Sequence, residues 1–191
     1  VWALRLGSFL FWRIKKDGQD KRFIVMKTKF TWFLMTWTIG GLWVLVTMAA
    51  GLAALTSNIT AELGLISYLG IALWLFGFIV EVTADNQKTE FRKNPDNRNR
   101  FITTGVWSWS QHANYFGEIT LWFGLALVAL PVLSGWQLAT LISPVFVYFL
   151  LTKVSGIPLL DRLAKQKWGT DSDYLSYTQA TSKLLLWPPK T

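Results

Sequence analysis

Glu81, Asp85, Lys88 and Arg92 recur at i, i+4, i+7 and i+11. On a helix that spacing forms one stripe. Carboxylates along it can accept hydrogen bonds from hydroxyls or amides, and the cations can hold phosphates. The same spacing serves a solvated helix end laced with ion pairs. A second cluster follows at Ser110-Gln111-His112-Ala113-Asn114-Tyr115-Phe116-Gly117-Glu118. Gln111, Asn114, Tyr115, Glu118 and Trp122 are spaced to share one helical face, which welcomes amides, a carboxylate and a phenol. His112, the single histidine, suits a capping or interfacial role as well as a ligand contact. A third cluster holds Asp161, Arg162, Lys165, Lys167, Trp168-Gly169, Tyr174 and Tyr177. It reads either as an amphipathic helix on anionic lipid or as a lid over a ligand. Between the first two lies the basic turn Asn94-Pro95-Asp96-Asn97-Arg98-Asn99-Arg100.

The elements that carry these residues are membrane spans. Residues 31–55, 63–80 and 119–152 are uncharged. About 20 apolar residues cross a bilayer as a helix, so the last run is too long for one span. Leu130-Pro131-Val132-Leu133-Ser134-Gly135 divides it. Residues 1–14, apolar but interrupted by Arg5, make a short fifth. The expected fold is all-α: a polytopic transmembrane helix bundle of about five spans. Ionisable groups at or near such spans are costly and mark function by default.

Connections 13–29, 88–100 and 153–190 are rich in Lys and Arg; connections 56–62 and 131–137 have none. In a five-span chain all basic connections fall on one side, which the positive-inside rule makes cytoplasmic, with the C terminus. Trp32, Trp107, Trp136 and Trp187 sit near span ends, where interfacial anchors belong. Val1 opens inside an apolar segment, so the chain is expected to lack upstream spans.

Composition agrees. Of 191 residues, 52% are hydrophobic and 16% charged, which excludes a disordered chain, a coiled coil or a typical nucleic-acid module. The net charge of +8 fits anionic lipid or a phosphorylated ligand. With no cysteine and one histidine, disulfides, thiolate-metal sites and multi-histidine metal sites are excluded. No Gly-x-Gly-x-x-Gly is present, so a Rossmann site is not available.

The run from Asp85 through Phe91-Arg92 and Asn94-Pro95 to Gly105-Val106-Trp107, then His112-Ala113-Asn114-Tyr115-Phe116-Gly117-Glu118, resembles the bacterial membrane proteins related to steroid 5α-reductases (DUF1295). Sterol reductases and isoprenylcysteine carboxyl methyltransferases are more distant kin. Gly156–Leu160 (GIPLL), Trp168-Gly169, Tyr174 to Tyr177, Arg5-Leu6-Gly7 and Asp20-Lys21-Arg22-Phe23 share the likeness. The resemblance implies one membrane reductase domain over residues 1–191, in a bacterial inner membrane and short of the family's N-terminal spans. It implies NADPH in a cavity open to the cytoplasm, and reduction of a conjugated C=C bond in a 3-oxo-Δ4 steroid or similar lipid enone. By position, Arg5, Asp85, Arg92, Asn114, Glu118 and Arg162 match cofactor-contacting residues. Tyr115, Trp122, Asp161, Tyr174 and Tyr177 are further matches. Two departures leave the catalytic residues unassigned. Trp2 stands where eukaryotic relatives carry a tyrosine, and Gln111-His112-Ala113 replaces Arg-His-Pro. A methyltransferase using S-adenosylmethionine and a non-enzymatic lipid-binding protein are the competing functions. Leu160-Asp161-Arg162, lacking a Glu-Glu pair, counts against the first. The convergent polar faces count against the second.

Overall fold

A computed structural model of the chain describes residues 1–18 and 28–189. The matched element at residues 20–23 lies outside them. The described residues form seven α-helices joined by 3₁₀ and π turns, with no strand among them. They divide into two compact units, Val1–Val46 and Thr47–Thr191, with the division inside one helix.

The first unit holds α1 (Trp2–Asp17) and the opening of α2 (Phe30–Leu55). α1 stops at Gly18, whose φ of 79° is a left-handed conformation glycine adopts without steric cost. Along α1, the Arg5 guanidinium lies 5.3 Å from the centre of the Phe9 ring.

The second unit continues with α3 (Leu65–Lys93), α4 (Ala113–Ala129), α5 (Ser143–Phe149), α6 (Ile157–Trp168) and α7 (Ser172–Ala180). α3 does not end with its apolar run. It carries on through Glu81, Asp85, Lys88 and Arg92, so the stripe is helical throughout. Burial falls along it: Glu81 is buried, Asp85 and Lys88 are half-buried, and Arg92 is exposed. This grading is what a helix leaving a packed membrane interface for water produces.

α3 and α4 run antiparallel on a glycine seam. A Cβ on Gly77 would sit 2.5 Å from Leu121 N and 2.6 Å from Gly117 O. One on Gly124 would sit 2.5 Å from Trp74 N and 2.6 Å from Gly70 O. Lipid supplies no hydrophobic drive between spans, so close backbone approach at small residues carries the packing. Behind the seam, Ala50, Ala126, Ala129 and Leu133 form one buried cluster; Ala84, Ile102, Trp107 and Ala113 form another. Hydroxyls tie the bundle where no charge is present. Ser143 Oγ donates to Thr47 O at 2.5 Å, and Ser57 Oγ donates to Val132 O at 2.5 Å.

Four helical stretches are long and apolar enough to cross a membrane: Phe30–Leu55, Leu65–Lys93, Ala113–Val132 and Gly135–Trp168. The chain is thus a polytopic helical membrane protein. Four of the five expected spans are of crossing length; α1, at 16 residues, is not. Within Gly135–Trp168 the backbone passes from a 3₁₀ segment through α5 to a π-helical turn, Leu150–Val154, then breaks before α6. Trp107 is not an interfacial anchor. It is 3% exposed and its indole donates to Ala84 O at 3.0 Å, because the 3₁₀ turn Gly105–Ser108 folds it back onto α3. Trp32, Trp136 and Trp187 are exposed, as anchors require.

If the charge asymmetry sets orientation, cysteines placed at Asn97 and Ser134 will react with an impermeant maleimide from opposite sides of the membrane. Labelling of both from one side would remove the proposed topology.

Candidate functional site

At the charged end of α3 a cavity of about 360 Å³ opens in the second unit. α3 contributes Lys88 and Arg92, the following loop Arg100 and Phe101, and the turn before α4 His112. α6 adds Asp161, Lys167 and Trp168; α7 adds Tyr174 and Tyr177. The size lies within the ordinary range for small-molecule pockets.

Local sequence explains each placement. Asn94 caps the 3₁₀ turn Pro95–Asn97 by accepting from Asp96 N at 3.0 Å, and proline starts that turn without losing a bond. The loop is then latched to α6. Trp168 Nε1 donates to Asn99 O at 2.6 Å, and Lys167 Nζ donates to Arg98 O at 3.1 Å. Asp171 caps α7, accepting from Asp173 N at 2.8 Å and Tyr174 N at 3.2 Å. Tyr177 OH donates to Trp107 O at 2.6 Å, which pins α7 over the cavity. Burial pushes the Tyr177 phenol far above its ordinary value, so it stays a donor.

The wall is aromatic and cationic. Phe101 meets Trp168, Tyr174 and Tyr177 with ring centres 5.7, 5.2 and 5.6 Å apart. Lys88 Nζ sits 4.5 Å from the Trp107 ring centre, and Lys167 Nζ sits 4.7 Å from that of Trp168. Among the described residues, Arg92 and Arg100 line the cavity and make no ion pair or hydrogen bond.

Asp161 is the cavity's one carboxylate and is committed on both oxygens. Oδ1 lies 3.2 Å from His112 Nε2, and Oδ2 pairs with Lys183 Nζ. His112 stacks on Tyr115 with ring centres 5.8 Å apart. Burial pulls the His112 imidazole below its ordinary value, against the bond and charge of Asp161, which act the other way. Desolvation dominates, so the neutral ring is favoured.

The expected site residues therefore fall into groups. Arg92, Asp161, Tyr174 and Tyr177 meet around the cavity. Asp85, with buried Glu81, lies within electrostatic reach of Glu118 across the α3–α4 seam. Asn114, one turn before Glu118, Tyr115 and Trp122 are on α4 and do not line the cavity. Tyr115 stacks on His112, which does line it. Arg162 lines a neighbouring cavity of about 670 Å³. Arg5 belongs to the other unit. Gln111 is not on the expected helical face, because α4 starts at Ala113. Its amide instead donates to Thr178 O and Thr181 O, at 3.0 and 2.7 Å, and fastens the C-terminal segment. Lys88, Arg100, Lys167 and Trp168, named in the sequence clusters without a cofactor role, complete the wall, and Phe101 joins them unmarked by any cluster. The signals of the first four were a stripe cation, the end of the basic turn and the third cluster with its Trp-Gly pair.

A helical membrane protein with a cation-and-aromatic cavity at one end of its bundle is the class this geometry defines. The chain belongs to the family described as protein of unknown function (DUF1295), whose profile matches residues 1–181. It is similar to 3-oxo-5-alpha-steroid 4-dehydrogenase 1 of Bos taurus, 33% identical over 70 residues, covering 37% of this chain and 27% of that one. The Homo sapiens protein of the same name is 34% identical over 64 residues, 34% of this chain and 25% of its own. That of Mus musculus is 30% identical over 77 residues, 40% and 28%. The aligned stretch is about a quarter of the length of these relatives. No solved structure matches the chain.

Proposed function

We propose that the chain is the cofactor-binding part of a membrane oxidoreductase that uses NADPH to reduce a conjugated C=C bond in a 3-oxo-Δ4 steroid or a similar lipid enone. The observation that carries this reading is that two guanidiniums without a partner among the described residues, Arg92 and Arg100, and the rings of Phe101, Trp168 and Tyr174 line one cavity. Guanidinium forks suit a pyrophosphate and a 2′-phosphate. Aromatic faces suit a planar base. The names of the similar steroid dehydrogenases support the substrate class.

The residues present fit such a cofactor. When bound, NADPH supplies the hydride. Arg92 and Arg100, with Lys88 and Lys167 beside them, hold its phosphates. Asp161 carries no free charge into that setting, since His112 and Lys183 occupy its oxygens. Its work is to fix α6 against the turn before α4. Asn114, Glu118 and Asp85 do not line the cavity; they enter the proposal by position in the family, as groups able to pair with ribose hydroxyls or a carboxamide. Tyr115 and Trp122 belong to the same proposal by position in the family; Arg162 lines the neighbouring cavity instead, and Arg5 is a match by position alone. Tyr174 and Tyr177 close the cavity from α7.

Glu118→Gln separates a cofactor role from a structural one. Loss of a hydrogen bond to a charged group costs about 1.5–3 kcal/mol, roughly ten- to a hundred-fold in affinity. Weaker NADPH binding by that factor at unchanged melting temperature is expected. A lowered melting temperature with intact affinity would make Glu118 a tie between helices.

A further inference from the structure

Beside the candidate site, and sharing Asp161 with it, lies the cavity of about 670 Å³ that takes in Arg162. Its wall contains Lys153, Arg162, Lys165 and Lys183 against the single carboxylate Asp161, a surplus of three positive charges. Asp161 is already tied to Lys183 and His112. Among the described residues, Lys153, Arg162 and Lys165 have no ion pair or hydrogen bond from their side chains. The lining also takes in Tyr148 and Thr152 of the last crossing stretch, with Ile157 and Pro158 after them. Thr152 Oγ1 donates to Tyr148 O at 2.7 Å, so its hydroxyl is spent on the backbone.

The position relative to the bilayer follows from length. About 20 helical residues span the hydrocarbon. Counted from Gly135, where the last crossing stretch begins, they end at Val154, the last residue of the π-helical turn. Lys153 therefore stands at the boundary, with Arg162 and Lys165 one to two turns into the helix beyond it. The lining thus joins residues of the last crossing stretch to cations at and beyond its end.

We infer that this cavity holds the phosphate-bearing headgroup of an anionic phospholipid, with the acyl chains running down the Tyr148–Thr152 flank of the last span. Free phosphate shares the headgroup's charge but has no use for that flank. A lipid uses both the cations and the flank. Each basic side chain near an anionic surface is worth about five-fold in affinity.

The test is equilibrium binding of short-chain phosphatidylglycerol, phosphatidylcholine and inorganic phosphate to the purified full chain in neutral detergent. Phosphatidylglycerol is expected to bind at least about ten-fold tighter than phosphatidylcholine. Arg162→Gln with Lys165→Gln should weaken it about twenty-fold. Arg92→Gln with Arg100→Gln, in the neighbouring cavity, should leave it unchanged, which keeps this site distinguishable from the cofactor site. If the first pair fails to fold, Lys153→Gln, at an exposed position, should still cost about five-fold. Equal affinity for the two lipids, or no response to any of the three cation variants, overturns the inference. Displacement of the lipid by inorganic phosphate at equal concentration overturns it too, since the site would then take a free anion.

Discussion

Replacing Arg92 and Arg100 together with glutamine is expected to weaken NADPH binding about a hundred-fold while leaving the melting temperature in place. Both guanidiniums line one cavity and neither has a protein partner among the described residues. A hydrogen bond to a charged group is worth about 1.5–3 kcal/mol. Both side chains are exposed, so solvent screening places each at the lower end, about ten-fold in affinity. Stability does not follow, because no contact within the fold is broken. A tight binder after both substitutions would show that the cavity does not receive phosphates. Unfolding of the variant would show that the arginines hold the loop, contrary to their lack of partners.

The second large effect falls on stability. Gly77→Ala puts a methyl group 2.5 Å from Leu121 N and 2.6 Å from Gly117 O, both backbone atoms that cannot rotate away. Overpacking of this kind costs about 1–3 kcal/mol, and the better helix propensity of alanine returns at most about 1 kcal/mol. Gly41→Ala in α2 is the control, with nothing within 4 Å of the added carbon. Thermal unfolding in detergent should show Gly77→Ala melting several degrees lower and Gly41→Ala unchanged or slightly higher. The same helix, α3, carries Lys88 and Arg92 into the cavity, so the glycine variant should lose cofactor affinity as well. Equal melting of the two variants would mean that α3 and α4 are not packed through their glycines.

The spans were legible because charge is costly in lipid, and uncharged runs of 18 residues or more therefore announce themselves. The extent of α3 was not. Its last turns carry charge, and only helical spacing from Glu81 to Arg92 shows that the helix goes on. The seam had a sequence signal that hydrophobicity hides: Gly70 and Gly77 are seven apart, as are Gly117 and Gly124. Pairing one couplet with the other needs the antiparallel register, which is a tertiary fact. The same limit applies to the site. Arg92, Asp161, Tyr174 and Tyr177 could be picked by type, but their meeting rests on contacts such as Trp168 to Asn99 and His112 to Asp161. Those join residues far apart in the chain and follow no local period. Asp161 lines both cavities, whereas Arg162, one residue on and about 100° further round the helix, lines only the second.

The central claim is that a cationic cavity at the end of α3 receives a phosphorylated nicotinamide cofactor. Equilibrium binding of NADPH and NADH to the purified chain, followed by fluorescence of the reduced nicotinamide, tests it most directly. The two ligands differ by the 2′-phosphate alone, and one added charge-assisted hydrogen bond is worth about ten-fold or more. Tighter binding of NADPH by at least that factor, with the difference abolished in the Arg92→Gln and Arg100→Gln variant, is the result predicted. Equal affinity for both nucleotides, or no binding of either, would contradict it.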